Sequence, residues 1–148
     1  MYVSHLESAL DGTRFPAHTL QTTHESRPLW VRYDLDAVGA AVDRDALRNR
    51  PPSMWRYREL LPYRAADEVV SLGETMTPLV DCPRLGAELG LERLLVKDES
   101  RLPTGSFKAR GMAMAVTMAR ELGVRRVAAP TAGNAGGALA ARMQPARD

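Results

Sequence analysis

Cysteine is nearly missing from this chain: Cys82 stands alone among 148 residues. One cysteine builds neither a disulfide framework nor a multi-cysteine zinc site. Long apolar runs are missing too. None approaches the roughly 18 residues a membrane span needs, and the N-terminus lacks the charged-then-apolar pattern of a secretion signal. A cytoplasmic protein with no membrane partner is the expectation. Charge of one sign is also lacking, with 20 basic residues against 18 acidic ones and a net charge of +2. The basic residues are dispersed, which argues against a nucleic-acid partner. What remains is the composition of one globular domain with enough length for a core. Lysine is the last scarcity, and the most informative. Among 20 basic residues only Lys97 and Lys108 are lysine, in a chain rich in arginine and alanine. Arginine stays protonated, whereas a desolvated lysine serves as an amine nucleophile. Two lysines that resist such a bias ask for a chemical reason.

Residues 1–34 alternate short apolar patches with turn formers (Asp11-Gly12, Pro16, Arg27-Pro28) and end in Leu29-Trp30-Val31-Arg32-Tyr33. This predicts a small β-rich lead-in ahead of an α/β part over 35–148. Asp36 as a cap predicts a helix over 37–48, with Val38, Ala41, Val42 and Leu47 near one face. Pro51-Pro52 stops it, a short helical segment over 53–61 ends at Pro62, and 63–77 reads as loop. From Pro83 the elements alternate. The pattern predicts a short helix over 83–89, a buried strand at 94–96, a helix over 106–122 closed by Gly123, a strand over 124–129 and a helix from about Asn134. The long helix shows an apolar stripe of Met112, Ala115, Val116, Ala119 and Leu122. This order is the signature of parallel βαβ units. Two strands leave a parallel sheet with open edges, and residues 142–148 lose the apolar spacing. The chain is therefore expected to be the front of a larger α/β protein, truncated.

The densest chemistry lies in residues 97–111, Lys-Asp-Glu-Ser-Arg-Leu-Pro-Thr-Gly-Ser-Phe-Lys-Ala-Arg-Gly. A strand ends, a Pro/Gly loop turns, and Lys108 falls in the first turn of a helix. Open α/β sheets bind ligands at the carboxyl ends of their strands, where this loop sits. A lysine at a helix N-terminus faces the positive end of the macrodipole, which disfavours an ammonium and suits an amine that attacks carbonyls. The second stretch is 130–138, Pro-Thr-Ala-Gly-Asn-Ala-Gly-Gly-Ala. Its small residues open a helix, so backbone N–H groups are free to hold an anion, and Asn134 serves either as cap or as amide to a ligand oxygen. Neither the dinucleotide G-x-G-x-x-G spacing nor a P-loop Gly-Lys-Ser/Thr is present. His5, His18 and His24 are spaced for no usual metal site, so no metal is expected.

Together the two stretches resemble the tryptophan-synthase-β-like (type II) pyridoxal-phosphate enzymes. That family's lysine sits in Ser-Phe-Lys-x-Arg-Gly after Pro-Thr-Gly, and its asparagine loop carries Ser/Thr-x-Gly-Asn. Both stand here in order, with Lys108 and Thr131 23 residues apart. Within the family the resemblance is to the threonine synthases. Gly73-Glu74-Thr75-Met76-Thr77-Pro78-Leu79 is similar to their Gly-Glu-Gly-x-Thr-Pro-Leu segment, with Thr75 where glycine is commoner. Leu95-Val96-Lys97-Asp98-Glu99 is similar to their strand before the lysine loop, and Leu29 through Leu35 to their Tyr-Asp region. The resemblance covers residues 28–141. Many relatives open with a Cys-x-x-Cys ribbon. Here His5, Ser8, His18 and His24 occupy that region, a degenerate ribbon without cysteines.

The resemblance implies the N-terminal part of a type II fold and pyridoxal 5'-phosphate as cofactor. Lys108 would hold the cofactor and move protons, Asn134 would bond its phenolic oxygen, and Ser106 and Arg110, which flank the lysine, would assist. Thr131, Ala132, Gly133, Asn134 and Ala135 would hold the substrate carboxylate. The implied reaction converts O-phosphohomoserine and water into threonine and phosphate. A threonine/serine dehydratase shares the core motifs and is the alternative, as is a truncated product without catalysis. The family's glycine-rich phosphate cup and pyridine-nitrogen partner are not among the 148 residues, so inactivity alone is expected. A homodimer is implied for a full-length parent.

Overall fold

A computed structural model of the chain describes residues 2–64 and 69–143. Residues 65–68, part of the loop expected over 63–77, and the tail at 144–148 lie outside the described residues. Four strands open the chain: β1 (Val3–Ser8), β2 (Arg14–Pro16), β3 (Thr23–His24) and β4 (Arg27–Tyr33). They form an antiparallel sheet in the order β2-β1-β4-β3, with Leu6 opposite Val31. Asp11 fixes the first turn, its carboxylate accepting from the Thr13 backbone N–H and hydroxyl at 3.0 and 2.9 Å. The β3–β4 turn is carried by Glu25 and Ser26, at φ 47° and 64°. A two-residue hairpin of this kind needs positive φ at both positions and usually recruits Asn or Gly.

The helix expected over 37–48 is two helices, α1 (Leu35–Ala41) and α2 (Arg44–Asn49). Asp34, rather than Asp36, caps α1 by accepting from Ala37 N–H at 2.9 Å. Asp43 caps α2 by accepting from Asp45 N–H at 3.0 Å, and this local bond competes with continuing α1. Residues Met54–Leu60 form a 3-10 helix kinked at Tyr57. Its start is stitched to the 73–79 segment, Met54 N–H donating to Glu74 O and Met76 N–H to Pro52 O.

Strand β5 (Leu79–Asp81), helix α3 (Pro83–Glu88) and strand β6 (Leu95–Lys97) follow, with Val80 opposite Val96. Then come the long helix α4 (Lys108–Glu121) and the last described helix, α5 (Asn134–Met143). The chain is α/β in content, but every strand pair among the described residues is antiparallel, which corrects the expectation of parallel βαβ units. β6 returns beside β5 instead of crossing over. Residues 124–129, expected as the next parallel strand, form no strand and are mostly exposed. A ladder needs a neighbour, and among the described residues none lies beside them. β6 is likewise not the buried strand expected; its three residues are exposed.

Helices α4 and α5 pack together and carry most of the buried apolar residues, Ala109, Ala113 and Val116 on α4 and Ala138 on α5, with Leu102 buried ahead of α4. Alanines at 109, 113 and 138 have no exposed surface, so the two backbones approach closely. This moves the buried face of α4 away from the expected stripe: Ala109, Ala113, Val116 and Thr117 are buried, and Ala115 is exposed. Small size where α5 lies, not hydrophobicity alone, selects the face.

Candidate active site

Strand β6 delivers the chain into the lysine loop. Asp98 caps a single 3-10 turn, Glu99–Arg101, accepting from Ser100 N–H at 3.1 Å and from Arg101 Nε at 3.0 Å. Leu102 plugs into the core and anchors the loop. Next, Thr104 and Gly105 both take left-handed backbone, at φ 67° and 70°. Glycine adopts this freely, whereas a threonine there costs about 1–2 kcal/mol. The double left-handed turn reverses the chain so that Ser106 is extended and α4 begins at Lys108. Lys108 is exposed, with Nζ 4.6 Å from the centroid of the Phe107 ring. Ser106 is buried, and its hydroxyl has no hydrogen-bond partner among the described residues.

Behind the loop lies a carboxylate that sequence reasoning left out of the site. Glu99 accepts two bonds from the Arg110 guanidinium, from Nε at 2.7 Å and Nη2 at 3.0 Å. The Thr77 hydroxyl donates to the same carboxylate, and Lys97 Nζ lies 3.7 Å away while donating to Thr77 O at 3.2 Å. The Arg110 fork holds the Glu99 carboxyl down to about 2, with Thr77 and the nearby cations adding to the effect against desolvation. Its signal in the sequence was faint, a glutamate between the two rare lysines.

The asparagine loop is organised by Thr131. Its hydroxyl oxygen accepts from Gly133 N–H at 3.0 Å and from Gly136 N–H at 2.9 Å. Those two donors are therefore engaged within the loop. Gly133, at φ 135°, accepts the first helical bond from Gly137 N–H at 2.9 Å, so it occupies the cap position and Asn134 opens α5 itself. Asn134 is thus not the cap. The head of α5 leaves the N–H groups of Asn134 and Ala135 without intrahelical acceptors. Thr131, Ala132, Gly133 and Asn134 are exposed and Ala135 is half-buried.

Helix α5 packs against both α4 and the Pro103–Gly105 turn. The fold thereby sets Lys108 and Asn134 at the first positions of two packed helices. A second unforeseen group stands behind them. Glu74 and Arg142 form an ion pair whose side chains are wholly buried. Ser71 Oγ and Leu72 N–H also donate to Glu74, at 2.6 and 3.2 Å, and Arg142 Nη1 donates to Ala138 O at 2.7 Å. Burial pushes the Glu74 carboxyl up, but the Ser71, Arg142 and backbone bonds outweigh it and leave it lowered. Among the described residues no three His, Cys, Asp or Glu side chains converge as a metal site would, and no helix is long and apolar enough to cross a membrane.

This arrangement has counterparts among known proteins. The chain matches, over residues 70–142, the family described as pyridoxal-phosphate dependent enzyme. Its relatives carry a more particular name. It is 45% identical over 113 residues to threonine synthase of Methanocaldococcus jannaschii, and 44% identical over 110 residues to threonine synthase of Methanosarcina acetivorans. Those alignments take in 76% and 74% of this chain but only 28% and 26% of the two relatives, so the chain spans about a quarter of their length. Threonine synthase of Mycobacterium tuberculosis is 41% identical over 85 residues. No solved structure matches the chain.

Proposed function

We propose that this chain carries the lysine and asparagine loops of a threonine synthase, with Lys108 as the residue that holds pyridoxal 5'-phosphate. The observation that carries the reading is the packing of α5 on α4 and on the Pro103–Gly105 turn, which puts Lys108 and Asn134 at the heads of adjoining helices. The residues present fit the cofactor. An exposed amine, a buried hydroxyl at Ser106 lacking a protein partner, and two free N–H groups at the head of α5 suit an aldehyde that carries polar and anionic substituents. When bound, the cofactor supplies an electron sink. Lys108 would hold it and carry protons at Nζ. Asn134 would orient the ring through its side-chain amide. The backbone of Thr131, Ala132, Gly133, Asn134 and Ala135 would take the substrate carboxylate, with Ala132, Asn134 and Ala135 as the donors that Thr131 does not occupy.

The substrate proposed for the whole protein is O-phosphohomoserine: phosphate leaves the γ-carbon, and the oxygen of water ends on the β-carbon as the threonine hydroxyl. The relatives' names support this choice over a dehydratase. Incubation of the chain with pyridoxal 5'-phosphate, then borohydride and peptide mapping, should label Lys108 and fail with Lys108→Ala. Phosphate release from O-phosphohomoserine and keto-acid formation from threonine are measured side by side. Keto acid without phosphate would reverse the order of the two enzyme readings. Absence of both, with Lys108 labelled, supports cofactor capture without turnover by these 148 residues.

A further inference from the structure

Glu99 lies nine residues before Lys108 yet is tied to the helix that Lys108 opens. Helix α4 starts without a side-chain cap, since Phe107 at the cap position supplies none. Its own first turn therefore does little to fix where the helix begins. Arg110 does so instead, by the two-pronged bond to Glu99, a geometry that constrains orientation as well as distance. Residues two apart on a helix point to opposite sides, so the clamp grips the first turn away from the Lys108 amine. Arg110 Nη2 also donates to Thr75 O at 3.0 Å, and the Thr77 hydroxyl donates to Glu99. The 75–77 segment, the exit of β6 and the head of α4 meet at this one carboxylate.

We propose that Glu99 is a positioning residue which, acting through Arg110, sets the placement of the Lys108 amine toward the cofactor's aldehyde. This rests on the reading of Lys108 as the cofactor lysine. The test is competition. The full chain and free Nα-acetyl-lysine share a limiting amount of pyridoxal 5'-phosphate. Each amine condenses with the aldehyde and releases water, borohydride reduces the resulting C=N bond to a secondary amine, and mass spectrometry counts the label at Lys108 against the free reference. The wild-type chain should favour Lys108. Glu99→Gln and Arg110→Gln should each lower that preference by about tenfold, the loss typical of groups supporting a ligating residue. The double variant should fall no further, because both act through one contact. Glu59→Gln, which breaks a comparable ion pair away from α4, should leave the preference unchanged. Circular dichroism establishes that each variant is folded; should Glu99→Gln unfold, Arg110→Lys keeps the charge without the fork and must show the same loss. Unchanged preference in the Glu99 and Arg110 variants, a multiplied loss in the double, or an equal loss in Glu59→Gln overturns the positioning role alone. A wild-type chain that favours Lys108 no more than free lysine overturns the reading of Lys108, and the positioning role with it.

Discussion

A Cβ added at Gly136 would lie 2.7 Å from Thr131 Cγ2, closer than two carbon atoms tolerate. Thr131 is branched and cannot swing its methyl aside without moving its hydroxyl. Gly136→Ala should therefore unlatch both N–H bonds to the Thr131 hydroxyl and speed amide exchange at Gly133 and at position 136. Adding Thr131→Ser, which keeps the hydroxyl and removes the methyl, should restore protection; exchange that stays slow in Gly136→Ala would show the loop is held otherwise. A second consequence concerns acid. The Glu59 carboxyl is held at about 2 by its bonds from Arg50, as Glu99 is by Arg110, both from an ordinary 4.5. A folded carboxyl below its unfolded value contributes stability that is fully present above 4.5 and is lost as pH falls toward 2. The urea midpoint of the wild-type chain should thus drop across that window more steeply than that of the Glu59→Gln/Glu99→Gln variant.

Helices obey local rules here, and strands do not. The start of α3, the stop of α4 and the start of α5 were legible from Pro83, Gly123 and the small residues before Asn134, because caps and breakers act within a few residues, whereas α4 begins at Lys108, two residues after the expected Ser106. The break between α1 and α2 was equally local but hidden, since Asp43 is both an acceptable helix residue and a better cap. Replacing Asp43 by Ala should cost about 0.5–2 kcal/mol, read by urea denaturation, with helical signal by circular dichroism kept or increased as the two helices join. Strand partners depend on what lies across the sheet, and the sequence motif of 94–96 predicts a strand without saying which neighbour it takes. The same holds for the site. Lys108, Asn134 and Thr131 drew a role from their motifs, whereas Glu99 and Glu74, which stand in motifs too, and Arg142 drew none, because they act through partners 11 to 68 positions away. The α4–α5 seam is where packing overrode the apolar stripe. Ala113→Leu should destabilise by about 1–3 kcal/mol through overpacking, while the same change at exposed Ala115 should be nearly neutral.

Across the whole molecule, the N-terminal sheet meets the body at His18, whose ring lies 3.4 Å from Glu121 at the end of α4. His18 lines a cavity of about 150 Å3 with Val3, Leu6, Val31, Met118 and Leu122. Burial lowers its affinity for a proton, Arg64 adds to this, and Glu121 opposes both. A histidine harder to protonate in the fold than out of it contributes stability that is present above 6.5 and fades as pH falls below. His18→Gln should flatten that part of the pH dependence of the urea midpoint; an unchanged slope would assign it elsewhere. The sheet that docks there has a history written into its order. Its four strands are complete by Tyr33, so every hydrogen bond of the β2-β1-β4-β3 sheet becomes available before α1 has been made. Chains emerge at about 5–20 residues per second, far slower than a hairpin closes. The sheet can therefore assemble on the ribosome within seconds. The Glu74–Arg142 pair, 68 positions apart, must wait for the last described helix. Among the described elements, synthesis thus completes the N-terminal sheet first, then ties the lysine loop to the 75–77 segment through Glu99 and Arg110, and adds the packing of α5 on the Pro103–Gly105 turn last.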